Sequence, residues 1–309
     1  MAAALVVIVA GGLAALKLFG GRSNNASINS YRDWEAVRLT WAGTAMGPDI
    51  SPDGKYVAYV NMESVGNSVW VQHLASSRQH QIVPPEKYLY SGLLFSPDGR
   101  ELYFSRLEGP KPARTLYRIP VLGGAAKRLR DDVDDQMILS PDGAHLAFTR
   151  RNQAGARELV IANLDGVEER VLGDRQLDYP AWSPDGSRIA FSAGNAESGG
   201  EEMTIREVSL IDGSEREISS RKWYHVGNKS WLPDGSGLIV CAKDVNAWGK
   251  QLWVVAYPSG EARPLSNELD NFLNVRLTAD ARLLVTQQVV SVSDIWSARL
   301  EDAAGGSTT

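Results

Sequence analysis

From Ile50 onward, short apolar runs alternate with polar turns, and within the runs the step is two residues. Tyr56-Val57-Ala58-Tyr59-Val60 and Leu102-Tyr103-Phe104 are examples. A period of two sends successive side chains to opposite faces, which predicts strands. Each run follows a polar turn. A further strand comes 18 to 20 residues after the turn proline: Val69-Trp70-Val71, Leu116-Tyr117-Arg118, Leu159-Val160-Ile161 and Leu252-Trp253-Val254. After a Gly-containing turn such as Asp165-Gly166 or Ser259-Gly260, a polar fourth strand ends near Arg128-Leu129 or Val171-Leu172. Polar outer strands suit a solvated sheet edge.

The turns repeat. ISPDGKYVAYV starts at Ile50, FSPDGRELYFS at Phe95, LSPDGAHLAFT at Leu139 and WSPDGSRIAFS at Trp182. A weaker copy, WLPDGSGLIVC, begins at Trp231, and a decayed one, LTADARLLVTQ, at Leu277. From Pro52 through Pro97, Pro141, Pro184 and Pro233 to Ala279, the intervals are 45, 44, 43, 49 and 46. Pro presets the turn, Asp hydrogen-bonds local backbone and Gly takes positive φ. Four short strands per unit of this period make a propeller blade.

The ends predict a closure. After Ala279 there are 30 residues, enough for the second and third strands of a sixth unit at Leu283-Leu284-Val285 and Ile295-Trp296-Ser297. No fourth strand is apparent from Glu301 to Thr309. Val37-Arg38-Leu39-Thr40 reads as a fourth strand without a blade. The expected fold is therefore all-β, a six-bladed propeller over residues 37–309, with the N-terminal strand completing the last blade. A chain continuing into more blades past Thr309 is the alternative.

The first segment breaks the pattern. Ala2 to Leu16 is apolar or small and carries no charge. Extended through Gly21 it gives roughly 30 Å of helix, enough to cross a bilayer if Lys17 snorkels. The expectation is a transmembrane helix or signal anchor over residues 1–22, then a linker over 23–36. A signal peptide would want a basic start, which Met1-Ala2 does not supply. Lys17, Arg22 and Arg32 follow the span, and by charge bias alone would keep the rest in the cytoplasm. A start inside an apolar run also suggests that Met1 is not the natural beginning, so orientation stays open.

The ISPDGK, FSPDGR and WSPDGS motifs, with an aromatic third strand, resemble the WD40-like (PD40) repeats of TolB-like propellers. The resemblance covers about residues 37 to 309. The order of apolar span, linker and PD40 repeats is also similar to the extracytoplasmic half of bacterial membrane-bound serine/threonine kinases, and to winged-helix regulators with a propeller tail. It implies a single-pass protein of the inner (cytoplasmic) membrane with an extracytoplasmic propeller that acts as a non-catalytic interaction or sensor module. The alternative is the regulatory half of a kinase or of a propeller-containing peptidase. The cytoplasmic output domain of those kinases and regulators is missing from this sequence, and Ala279 and Ala281 replace Pro and Gly in the last unit.

Composition narrows the chemistry. Net charge is -5 with 32 Lys+Arg, which argues against a nucleic-acid partner. A single cysteine, Cys241, excludes an intrachain disulfide and a Cys-rich zinc site. No kinase signature and no Gly-x-Ser-x-Gly elbow occurs. His73, His80, His145 and His225 share no ligand spacing, so neither metal nor cofactor is expected. The acidic run Asp131 to Asp135 lacks the Gly and terminal Glu of an EF-hand and reads as a solvated loop.

Binding is the better question. Segments that join one blade's outer strand to the next blade's inner strand lie at a mouth of the channel. They hold Tyr88, Tyr90, Asp178, Tyr179, Trp223, Tyr224, His225, Asp270, Asn271 and Phe272. Aromatics beside acids suit a protein- or peptide-binding rim. Tyr179, Trp223, Tyr224, His225, Asp270 and Phe272 are the candidate partner-binding residues, favouring a basic or amine-bearing partner. Packing between blades is the competing explanation for each. The polar loop Ala193 to Glu202 is read as mobile, and Trp70, Tyr117, Trp253 and Trp296 as blade packing.

Overall fold

The repeated tetrapeptide closes the same turn in unit after unit. In the first, the Ser51 N–H donates to the Tyr56 carbonyl at 2.8 Å and the Gly54 N–H to the Ser51 carbonyl at 2.9 Å. The Ser51 hydroxyl donates to Asp53 Oδ1 at 2.7 Å and accepts the Tyr56 N–H at 2.9 Å. The Lys55 N–H donates to the same carboxylate oxygen. Ser96 with Asp98, Ser140 with Asp142 and Ser183 with Asp185 repeat the arrangement. Even the decayed copy keeps it: Thr278 donates to Asp280 Oδ1 at 2.7 Å, and Ala281 takes the positive-φ place of the glycine at 51°. The repeated aspartates are thus turn formers.

The computed structural model describes residues 2–10, 34–109, 114–134, 136–155, 157–164, 168–173, 178–194, 203–267 and 271–290. Among these, five blades are each made from four consecutive antiparallel strands. Blade I comprises Ala45–Ile50, Tyr56–Glu63, Gly66–His73 and Gln79–Glu86. Blade II comprises Leu89–Phe95, Glu101–Leu107, Arg114–Pro120 and Lys127–Val133. Blade III comprises Met137–Leu139, His145–Arg151, Arg157–Asn163 and Glu169–Gly173. Blade IV comprises Asp178–Trp182, Arg188–Ala193, Met203–Ser209 and Glu215–Trp223. Blade V comprises His225–Trp231, Gly237–Lys243, Gln251–Ala256 and Ala262–Pro264.

Here the structure corrects the expectation of a six-bladed propeller: among the described residues the repeats build five blades, not six. The remaining four-stranded sheet is composite, ordered Trp34–Arg38, Ala2–Ala10, Leu283–Val290, Arg276–Leu277. Its inner strands come from the decayed unit and its outer strands from the N-terminal end. The inner strand Arg276–Leu277 touches those of blades I and V, so this sheet lies between them.

The second correction concerns the first segment. Ala2–Ala10 is a β-strand, not the start of a transmembrane helix. It pairs antiparallel with Leu283–Val290, from Ala2 opposite Val290 to Val9 opposite Leu283. On its other side it pairs with Trp34–Arg38, from Val6 opposite Arg38 to Ala10 opposite Trp34. No helix among the described residues is long and apolar enough to cross a membrane. A membrane contact through residues 2–21 therefore loses its helix over 2–10, and residues 11–33 lie outside the described residues. So does Ile295-Trp296-Ser297, the strand expected in the slot that Ala2–Ala10 fills.

Both faces of each blade are buried, because the core lies in the seams. One cluster joins Val60 and Val71 of blade I to Leu93 and Phe104 of blade II. Another joins Ala190 and Ile205 of blade IV to Val240 and Trp253 of blade V. The last seam packs Val285 of the composite sheet on Val57 and Tyr59 of blade I. Burial on both faces explains the near-continuous apolar second strands, such as Gly237–Lys243. Tyr117 and Trp253 are buried seam residues and Trp70 packs beside one, as expected for third strands.

Candidate functional site at the central channel

Inner strands run from one mouth of the channel to the repeated turns at the other, so the blade-to-blade connections and the second-to-third-strand hairpins share the mouth opposite the turns. The predicted rim residues sort there into two groups. Trp223 is fully buried and meets Trp253 edge-on at 6.1 Å between ring centroids. Phe272 is buried, its N–H donating to the Lys250 carbonyl and its own carbonyl accepting from the Cys241 thiol. These two pack the interior. Asp270 lies outside the described residues.

The other three line the mouth. Tyr224 is 40% exposed, with Lys243 Nζ 4.6 Å from its ring centroid. Tyr179 and His225, from neighbouring inner strands, make an edge-on pair at 5.8 Å. Tyr179 holds φ of 54°, and its N–H donates to Gln136 Oε1 of the preceding blade at 2.8 Å. Burial, helped by the charges of Lys250 and Lys229, pushes the His225 pKa down to about 4. At neutral pH this imidazole is uncharged.

Sequence reasoning missed the charged groups inside. Lys229, on the inner strand of blade V, is buried and donates to the Tyr179 carbonyl and to Ser192 Oγ, both at 2.7 Å. Asp49, on the inner strand of blade I, accepts the Phe95 N–H at 2.6 Å and lies 3.5 Å from Arg276 Nε of the composite sheet. Burial raises the Asp49 pKa to about 6, against the pull of Arg276 and of the Phe95 and Ile50 N–H groups. All three residues line a cavity of about 420 Å³ that is ringed by the turn prolines. A signal existed: Asp49, Ser230 and Arg276 sit three residues before positions 52, 233 and 279, and Lys229 sits four before Pro233.

Burial pushes the Lys229 ammonium from 10.5 down to about 7, with Asp178 opposing and Arg276 adding to the shift. Between about pH 7 and 10.5 the unfolded chain thus holds a proton that the folded chain has released, so stability rises with pH across that window. Lys229→Met should flatten this rise. Melting temperatures from pH 7 to 10 test it; equal slopes in the two proteins would refute the buried amine.

Other candidate chemistry is tied up. Cys241 is buried, and burial pushes its thiol up to about 12, far from a reactive thiolate. In the acidic run, Asp131 pairs with Arg128 at 2.6 Å and Asp134 with Arg157 at 3.2 Å. Asp135 lies outside the described residues.

No family model matches the chain. Over 158 residues, 50% of this chain, it is 29% identical to the uncharacterized peptidase YuxL of Bacillus subtilis, a match covering 22% of that protein. Over 179 residues, 57% of this chain, it is 24% identical to the Tol-Pal system protein TolB of Francisella tularensis subsp. holarctica, covering 40% of it. The chain thus spans between about a fifth and two fifths of these relatives. A solved structure of a putative TolB from Agrobacterium tumefaciens superposes with a TM-score of 0.69 at 16% identity, covering 94% of this chain and 99% of that one. The likeness establishes a TolB-type β-propeller fold.

Proposed function

We propose that this propeller is a non-catalytic interaction module whose protein partner docks on the mouth opposite the repeated turns. The observation that carries this reading is exposed apolar surface at the mouth end of blade V: Tyr224 at 40% exposure, Val245, and Trp248 at 69%. Lys243 pairs with His225 across the first two strands of that blade, which puts Val245 two residues beyond that pair at the same end of the blade. Large amphipathic rings give contact area at little entropic cost. Likeness to a Tol-Pal system protein supports an interaction role.

A direct test is affinity capture with mass-spectrometric identification, comparing the wild type with Tyr224→Ala/Trp248→Ala. The double variant should melt normally and lose about tenfold or more of a specific partner. Unchanged capture by a folded double variant would move the site elsewhere. A second reading, the propeller part of a larger peptidase, is favoured by the YuxL match. Its discriminator is the reading frame on either side of this chain: a hydrolase domain there would establish it.

For location we propose the outer side of the cytoplasmic membrane, supported by the likeness to a Tol-Pal system protein. Alkaline phosphatase fused after Thr309 should be active; an inactive fusion with full-length accumulation would place the propeller in the cytoplasm.

A further inference from the structure

Counted back three residues from the turn positions, the six inner strands present Asp49, Leu94, Ile138, Ala181, Ser230 and Arg276, all lining the 420 Å³ cavity. The ring is divided. Blades II, III and IV give Leu94, Ile138 and Ala181, a continuous apolar arc. Blade V, the composite sheet and blade I give Ser230, Arg276 and Asp49, a continuous polar arc, with Lys229 one residue deeper. Leu94 and Ala181 belong to seam clusters and Ile138 packs against two of them, so the apolar arc is the lumen edge of the core. The division makes a cavity with one greasy wall and one charged wall.

The charges on the polar wall do not balance. Asp49 faces Arg276 at 3.5 Å and receives the Phe95 N–H, so its carboxylate is committed to those neighbours. Lys229 is left with two neutral acceptors, the Tyr179 carbonyl and the Ser192 hydroxyl. The acid that attracts it, Asp178, pairs with Arg157 at 2.6 Å, a guanidinium that also pairs with Asp134 at 3.2 Å. His225, whose pKa Lys229 helps to lower, adds no negative charge. Among the described residues that line the cavity, two cations, Lys229 and Arg276, thus face one carboxylate, Asp49, and burying a cation away from a facing anion is costly.

We propose that the lumen cavity is a binding site for a carboxylate carrying a small apolar body, its head between Lys229 and Arg276 and its body against Leu94, Ile138 and Ala181. A free short-chain acid and the C-terminal residue of a peptide share this chemistry. The site opens toward the turns, at the other end of the channel from the proposed docking mouth, and stands or falls independently of it. Anion binding favours the charged form of Lys229, so the complex takes up a proton where the free protein has lost it.

Calorimetry at pH 8 in two buffers of different ionisation enthalpy tests the site, with hexanoate and hexanamide as probes. Hexanoate should bind at least tenfold more tightly than hexanamide, with net proton uptake from the buffer. Acetyl-Gly-Gly-Leu with a free C-terminus, against its amide, separates the two sources: the tighter of hexanoate and the free-ended peptide identifies which one the site fits. Lys229→Met should weaken the better probe at least tenfold and abolish the proton uptake. Asp49→Asn keeps an acceptor for the Phe95 N–H and removes the competing anion, so it should bind that probe at least threefold more tightly. Binding of neither carboxylate, equal affinity for acid and amide, or weaker binding by a folded Asp49→Asn protein would overturn the assignment.

Discussion

Val7→Pro is expected to lower the melting temperature by roughly 10 °C and destabilise the protein by about 3 kcal/mol or more. Val7 lies in the middle of Ala2–Ala10, opposite Val285 on one side and Val37 on the other. A proline there removes a ladder donor and its ring clashes with the backbone of a central strand. The loss would not stay local. Leu283–Val290 would have an open edge, and Trp34–Arg38 would lose the strand that attaches it to the ring. Deleting residues 34–38 should cost less, since they form the outer edge. Thermal melts of the three proteins decide: a Val7→Pro protein that melts with the wild type would show that residues 2–10 contribute nothing to the sheet.

That prediction touches the element which sequence reading assigned differently. A continuous apolar run gives the same pattern for a buried strand and a buried or membrane helix, because periodicity vanishes when every face is apolar. The β-branched residues Val6, Val7, Ile8 and Val9 were the available hint of a strand. The turns, by contrast, were fully legible, since their chemistry is local: Ser, Asp and Gly within four residues of each other bond one another and the two residues that follow. Closure was legible in part. Residues 34–38 do form an outer strand beside the decayed unit, and the slot between them takes Ala2–Ala10 where Ile295-Trp296-Ser297 was expected.

The candidate site divides along the same line. Lys229, Arg276 and Asp49 come together only through closure of the ring, from strands as far apart as blade I and the composite sheet. Their spacing before the turn positions is legible, but not that ring closure brings them to one cavity. The aromatic rim was visible as composition, but burial of each ring depends on how far its strand runs before the chain turns. Glu215–Trp223 ends on Trp223, inside the seam, and the next residue, Tyr224, is the one that emerges.

Trp223→Ala is therefore expected to be a stability variant and Tyr224→Ala a surface one. Trp223 has no solvent exposure, sits across the seam between blades IV and V, and meets Trp253 edge-on at 6.1 Å. The Arg221 guanidinium lies 4.4 Å from the Trp253 ring centroid and 5.8 Å from that of Trp223, and it is ion-paired with Asp244. Truncation leaves a cavity that these neighbours cannot all collapse into, at a cost of about 3–5 kcal/mol. Tyr224, 40% exposed with one cation over its ring, should change stability by about 0.5 kcal/mol. Urea unfolding of the two single variants separates the roles. Equal destabilisation would place Tyr224 in the core as well, whereas a Trp223→Ala protein as stable as the wild type would mean that blade V does not close on blade IV through this ring.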